Sequence, residues 1–391
     1  MDILAKKENL IYSTSKHELY YLNADLGSVF ESQVAHYLIS LSEKAIFENI
    51  TLICGIKSPE EQERVNDLFK SKNIQLRFFK SYPNYPFFNL LQRKAIDQVL
   101  KTCQKRAEVH FHIRGELLAS LACKPIFNQF GTLKNVVVDI RGAGMEELDI
   151  YHRAGKLKIL LKKWNYLIAF KKLNEFHKIS VVSDALKAYI INKSKINPHS
   201  IHVIHCLAGE NFTYNELKRQ ETRSKLSIGD DEKLLIFSSG GQAGWQNSKV
   251  LSELASDKYL ILNMSKDIIK HTRIKSRFVP YKEVPDYLNA ADAAIIFRDH
   301  NVVNEVACPV KFCEYTCCGL PVISNNSVKE IKEYIQKNNS GVILNHTADI
   351  HSIDLSPIYH LNRSAQAIQG QHTYGVDTIT QKYFNLYFKQ L

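Results

Sequence analysis

Residues 309–323 read Pro309-Val-Lys-Phe-Cys-Glu-Tyr-Thr-Cys-Cys-Gly-Leu-Pro-Val-Ile323. A proline suits the first turn of a helix, and Gly319 suits its left-handed stop just ahead of the apolar pair Val322 and Ile323. A helix that turns sharply into a short apolar strand is half of a parallel-sheet unit. Outward from this stretch the same alternation repeats. Short runs rich in Val, Ile and Phe predict strands near 10–12, 51–54, 76–79, 109–113, 136–140 and 179–182 in the first half. In the second half they predict strands near 202–205, 234–237, 259–262, 277–279, 293–297, 321–323 and 341–344. Amphipathic stretches such as 31–42, 59–71, 156–176 and 327–337 lie between them as helices. No tandem repeat of about 20–50 residues interrupts the pattern.

The expected fold class is therefore α/β, with two successive doubly wound domains joined near residues 206–212. Residues 1–205 form the first domain and 206–372 the second. Residues 373–391 break the alternation. Val376, Ile379, Tyr383, Leu386 and Tyr387 fall on one helical stripe with no strand after them, so this helix must dock on one of the domains.

Composition agrees. At 391 residues the chain is too long for one core and suits two domains of about 150–200 residues. Its 45% hydrophobic content excludes disordered and low-complexity classes. The net charge of +11 favours a polyanion or an anionic membrane surface. Eight scattered cysteines are unlike a disulfide scaffold and fit a reducing cytosol. Residues 1–9 are charged and lack the apolar stretch of a secretory signal. No apolar run reaches the roughly 18–20 residues that cross a membrane. A cytoplasmic location is expected, and no nucleic-acid partner.

In doubly wound sheets ligands bind at the carboxyl ends of strands, on glycine turns and helix N-termini. Four places qualify. Lys311 and Glu314, three apart, share a helix face, and a lysine in the first turn opposes the helix dipole unless an anion binds there. A solvated Lys–Glu pair on an exposed helix is the alternative. The second place is Phe237-Ser-Ser-Gly-Gly-Gln-Ala-Gly-Trp245, where Gly240, Gly241 and Gln242 would let backbone N–H groups approach phosphate; it also reads as a plain strand-to-helix turn. The third is the turn Asp25-Leu-Gly-Ser-Val-Phe-Glu-Ser-Gln33, with Gly27 and Ser28. The fourth is a pair of strand ends, His110-Phe-His-Ile-Arg-Gly115 and Asp139-Ile-Arg-Gly-Ala-Gly144, each bringing an arginine beside a glycine.

Two other features carry less. Cys308, Cys313, Cys317 and Cys318 lack paired zinc-knuckle spacing and read as small buried thiols, so no metal is expected. The basic run from Arg153 to Lys178 interleaves lysines with Leu157, Leu160, Trp164 and Ile168. It reads equally as a helix on an anionic membrane or as a domain helix with a lysine-rich outer face.

Taken together, these pieces resemble a GT-B glycosyltransferase, most closely the retaining glycosyltransferase family 4 of the bacterial surface-polysaccharide type. The stretch Arg277-Phe-Val-Pro-Tyr-Lys-Glu-Val-Pro-Asp-Tyr-Leu-Asn-Ala-Ala-Asp292, then Pro309-Val-Lys-Phe-Cys-Glu-Tyr315 and Gly319-Leu-Pro-Val-Ile323, is similar to that family's most specific segment. Val181-Val-Ser-Asp-Ala-Leu186 and Ile201-His-Val-Ile-His-Cys206 resemble its hinge side.

The resemblance implies two Rossmann-like domains facing a cleft, with a terminal helix crossing back to the first. The first domain would take a glycan or lipid-linked acceptor and the second a nucleotide-diphosphate sugar. That donor is a substrate, and no cofactor is implied. By the same resemblance, Lys311, the helix start at 309–312, and Gly240, Gly241 and Gln242 would hold the diphosphate. Glu314 would accept from ribose hydroxyls, and backbone at Val279 and Tyr281, with Val284, would cover the base. Arg141, Gly27 and Ser28 would face the sugar and leaving group. Arg141 stands where the family often has a histidine. The family's paired glutamates are eight apart; Glu314 matches the second, position 306 is Val, and Glu305 lies one place off. The family's basic residues after the glycine turn are replaced here, with Lys311 and Arg298 as substitutes. A non-catalytic two-domain sugar- or nucleotide-binding protein, and a GT-B type nucleotide-sugar epimerase, are the alternative readings.

Overall fold

The computed structural model describes residues 17–27, 29–104, 108–151, 155–238, 250–255, 259–265, 268–345 and 353–388. Among these, thirteen strands form two all-parallel sheets. The first contains β1 (His17–Asn23), β2 (Asn49–Ile56), β3 (Gln75–Lys80), β4 (Glu108–Arg114), β5 (Val136–Ile140), β6 (Lys178–Val181) and β7 (Ile201–Val203), in the order β3-β2-β1-β4-β5-β6-β7. The second contains β8 (Lys233–Phe237), β9 (Tyr259–Asn263), β10 (Ile274–Ser276), β11 (Ala293–Ile296), β12 (Val322–Asn325) and β13 (Gly341–Leu344), in the order β10-β9-β8-β11-β12-β13. Each order reverses direction once, between β1 and β4 and between β8 and β11. Those reversals open the crevices where doubly wound sheets bind ligands.

The expected alternation holds along the chain, with informative shifts. The strand expected at 10–12 lies outside the described residues. The first described strand, His17–Asn23, was not expected, because polar His17, Glu18 and Asn23 bracket its apolar centre. Its alternate residues serve two cores: Leu19 and Tyr21 pack on one face, Tyr20 and Leu22 on the other. The strand expected at 277–279 forms three residues earlier as the edge strand Ile274–Ser276.

Gly319 does stop its helix. The helix spans Val310–Cys317, and Gly319 follows at φ +64°. A β-carbon there would lie 2.1 Å from the Arg363 carbonyl oxygen, so only glycine fits. The final helix, Val376–Phe388, buries the expected stripe against the first domain, with Val376, Ile379, Tyr383, Leu386 and Tyr387 in one cluster with Leu19, Tyr37 and Leu52. The chain thus crosses back from the second domain to the first.

The lysine-rich helix Lys156–Lys172, read two ways from sequence, shows which side meets the domain. It buries only Asn165, Ala169 and Phe170, while Leu157, Leu160, Trp164 and Leu167 stand exposed. The outer side therefore carries exposed apolar residues along with exposed Lys156, Lys158 and Lys171, while Ala169 and Phe170 pack on the domain. No described helix is long and apolar enough to cross a membrane.

Candidate active-site cleft between the domains

The helix Val310–Cys317 begins beside the crevice between β8 and β11. Its Tyr315 hydroxyl accepts from the Ser238 backbone N–H (3.1 Å), tying the helix to the end of β8. Lys311 donates to the Glu314 Oε2 at 2.9 Å, while Glu314 Oε1 is buried without a partner. Glu314 is fully buried, so the solvated surface pair weighed from sequence is excluded. A buried carboxylate with one oxygen unmet is an acceptor awaiting a donor.

Tyr281 lies beneath the lysine of this pair. Its ring lies 5.6 Å below the Lys311 ammonium, a cation–π distance. Burial, and then the Glu314 charge, raise its phenol far above the ordinary value, so it stays neutral. Across the cleft stands His36, from the helix His36–Glu43 of the first domain, with ring centroids 5.7 Å apart. Its Nδ1 is buried and unpartnered. Burial lowers its pKa against the opposing pull of Glu31, Glu314 and Glu210, which favours neutral imidazole. A β-carbon on Gly209 would come within 3.0 Å of that Nδ1, so the Gly209 backbone fixes the ring closely. His36 was not singled out from sequence; only its place in the helical stretch that follows a glycine turn could have marked it.

Arg298 lies two residues past the end of β11, at the same switch point. Its guanidinium donates to Asn304 Oδ1 (3.3 Å) and forms no ion pair among the described residues. Burial lowers its pKa to about 10. Asn325 holds its backbone, donating to the Arg298 carbonyl at 2.7 Å.

Arg141 is placed differently from its expected role. Its hydrogen bonds run inward, to Gln33 Oε1 (2.9 Å), Cys206 Sγ (3.0 Å) and Asp139 Oδ1 (3.4 Å). Asp139 is the hub. Ser180 and the Tyr383 hydroxyl also donate to it, at 3.0 and 3.1 Å, and Arg114 pairs with it at 3.4 Å. Burial alone would raise this carboxyl, but Arg141, His112 and Arg114 outweigh it and hold the group far below the usual range. The two arginine-bearing strand ends quoted from sequence therefore meet on one aspartate beneath the cleft. Gln33 adds a tether, bonding both the N–H and C=O of Leu207 at the domain join.

The remaining candidates divide. Gly27 donates its N–H to Asp25 Oδ1 (2.9 Å) at an exposed turn by the β1–β4 switch. Ser28, Gly240, Gly241 and Gln242 lie outside the described residues. Val279 and Val284 are buried in the core. Glu305 turns outward to Lys329 (2.5 Å), and the Val306 carbonyl accepts from Ser183 across the domain junction (2.6 Å). Glu305 thus pairs with Lys329, and Lys311 with Glu314.

Two parallel-sheet domains with ligand crevices at opposed switch points, closed by a returning helix, define the GT-B fold. A glycosyltransferase of Rickettsia africae shares it with a TM-score of 0.66 at 16% identity, over 95% of this chain and 98% of that one. HepE of Anabaena in complex with UDP aligns with a TM-score of 0.66 at 12% identity, over 94% and 98%. WaaG, a glycosyltransferase involved in lipopolysaccharide biosynthesis, aligns with 0.63 at 13% identity, over 96% and 100%. No family model matches the chain, and no curated protein matches it in sequence.

Proposed function

We propose that this chain is a glycosyltransferase that moves a sugar from a nucleotide-diphosphate sugar to a glycan or lipid-linked acceptor. It would act with retention and without metal, in the manner of glycosyltransferase family 4, in building bacterial surface polysaccharide at the inner face of the cytoplasmic membrane. The observation that carries the reading is the pairing of half-buried Lys311 with fully buried Glu314 at the β8–β11 switch, with one glutamate oxygen unmet and His36 of the other domain against the Tyr281 ring beside it. HepE, of like fold, is known with UDP, with UDP and glucose, and with UDP-glucose bound.

In this reading the departing diphosphate meets Lys311, Arg298 and the N–H groups at the helix start, which stabilise developing negative charge without a metal. Glu314 Oε1 accepts from the ribose hydroxyls, and Tyr281 lines the nucleotide side. Neutral His36 offers a hydrogen bond at the sugar. Arg141 acts through Gln33 and Asp139 to hold the floor of the cleft.

One observation favours a second reading, a non-catalytic sugar- or nucleotide-binding protein. The place of the first family glutamate is taken by Val306, whose carbonyl is spent on a domain contact. Incubation with UDP-sugars, with and without glycan acceptors, separates the readings. UDP release that rises with acceptor supports transfer, binding without turnover supports the second reading, and an epimeric sugar marks an epimerase.

A further inference from the structure

Three side chains of metal-binding chemistry meet where the two domains join. His205 follows β7 at the end of the first domain, Cys308 directly precedes Pro309 in the second, and Glu330 lies in the helix Lys329–Asn338. A ring nitrogen of His205, the Cys308 sulfur and a Glu330 carboxylate oxygen lie within 4.8 Å of one another. Their separation along the chain hides the set from a reading of the sequence, where Cys308 groups only with its neighbouring thiols.

The set is withdrawn from solvent. The His205 and Glu330 side chains are 15% and 10% exposed, and Cys308 is buried. A buried carboxylate is normally paired with a cation or bound to a metal. Among the described residues Glu330 has no lysine or arginine at ion-pair distance, and its one such contact is His205 Nδ1 at 3.4 Å, a cation only when protonated. Lys382 of the final helix feels the Glu330 charge, but burial lowers its pKa and it forms no ion pair among the described residues. Each of the three side chains also has an outer partner. His205 donates its Nδ1–H to the Val182 carbonyl (3.0 Å), the Tyr374 hydroxyl donates to Glu330 Oε1 (2.6 Å), and the Cys206 backbone N–H donates to Cys308 Sγ (3.4 Å). Contacts of this kind orient ligating side chains and tune them as donors.

We propose that His205, Cys308 and Glu330 bind one divalent transition ion of the Zn²⁺ type. Imidazole and thiolate select that class over Mg²⁺ and Ca²⁺, which take oxygen ligands. Three protein ligands leave a fourth position for water, the arrangement of an open zinc site. Donors about 2.0–2.3 Å from a tetrahedral zinc lie roughly 3.3–3.8 Å from one another, so the three atoms need draw together by only about 1 Å. On binding, a sulfur–metal bond forms, the Cys308 thiol proton leaves to solvent, and no electron is transferred. The ion would brace the domain join, tying the residue after β7 to two elements of the second domain. Its ligands are not the groups proposed to meet the diphosphate, and binding assumes nothing about sugar transfer. Nucleotide binding by the metal-free chain tests that other reading separately.

The test is titration of the full chain, stripped with EDTA and freed of chelator, with Co²⁺ and then Zn²⁺. One Co²⁺ per chain should give the visible absorption of a tetrahedral ion and a thiolate-to-cobalt charge-transfer band, and Zn²⁺ should bleach both. Cys308→Ser should remove the charge-transfer band, while Cys123→Ser, in the first domain, should keep it. His205→Ala and Glu330→Gln should each weaken Zn²⁺ binding by at least roughly tenfold to a hundredfold, the loss that even an outer-shell partner produces. Cadmium NMR of the wild-type chain should report one sulfur ligand, a reading that stands even where Cys308→Ser fails to fold. The proposal is overturned by the absence of stoichiometric Co²⁺ binding, by a charge-transfer band that survives Cys308→Ser, or by Zn²⁺ affinity unmoved in His205→Ala and Glu330→Gln. It is also overturned if cadmium finds no sulfur ligand or more than one.

Discussion

Half-buried Lys311 and fully buried Glu314 pair one helical turn apart, 2.9 Å between ammonium and carboxylate, with the ammonium over the ring of Tyr281. The lysine lies where the helix dipole disfavours it, so a bound anion offsets that cost. Lys311→Ala should weaken nucleoside diphosphate binding by about 1.5–3 kcal/mol, as for hydrogen bonds to charged groups. Calorimetry with UDP, alongside a melting curve because the change also strands Glu314, checks this. Unchanged affinity removes Lys311 from the site.

His36 faces this unit from the other domain, held close by Gly209. His36→Gln should lower turnover by about a hundredfold, the scale of one lost transition-state hydrogen bond, and leave UDP affinity nearly intact. A fall in affinity equal to the fall in turnover would make His36 a ground-state contact instead.

Asp139 gathers Arg114, Arg141, Ser180 and Tyr383 beneath the cleft. Removing its charge leaves two arginines without their carboxylate, so Asp139→Asn should cost about 3–5 kcal/mol in urea unfolding at neutral pH. The folded pKa is depressed, so the stabilisation is fully present above about pH 4 and is lost as the pH falls toward the folded value. The gap between wild type and Asp139→Asn should accordingly narrow in acid. A gap constant to low pH would contradict the ionised hub.

Glu116 opens the helix Glu116–Phe130 just past Gly115, and burial pushes its carboxyl up to about 7. A raised folded pKa favours the fold below the unfolded value, about 4.3, and that contribution is lost as the pH rises through 7. Glu116→Gln should therefore raise the melting temperature at alkaline pH and change it little in acid. Equal effects at both ends would refute burial as the cause.

Turnover should survive EDTA, because Lys311 and Arg298 supply the cationic charge. Among the described residues, the metal-ligand types that converge are His205, Cys308 and Glu330, within 4.8 Å of one another. Glu330 there accepts from the Tyr374 hydroxyl at 2.6 Å and lies 3.4 Å from His205. Activity lost to EDTA and restored by Mn²⁺ or Mg²⁺ would defeat the metal-free mechanism, and a His205→Ala variant would then show whether this cluster is responsible.

By itself the amino-acid order determined what a single element encodes. The strand–helix alternation, the stop at Gly319, the stripe from Val376 to Tyr387 and the pairing of Lys311 with Glu314 each repeat at a local period or close within one helical turn. Such signals need no knowledge of neighbours. The strand His17–Asn23 escaped because its polar ends mask a centre that only two flanking sheet faces make apolar.

Tertiary structure alone decided the rest. His36 and Tyr281 lie 245 positions apart and meet only because two domains face each other. Arg114 and Asp139 become partners because β4 and β5 pair in parallel with those residues in register. Arg141 turned inward because the returning helix brings Tyr383 to the same aspartate, a closure made across 244 residues. The direction of Leu157, Leu160, Trp164 and Leu167 was likewise undecidable from their spacing. A helical stripe fixes which residues share a face, and only packing of Asn165, Ala169 and Phe170 against the domain sets which face meets water.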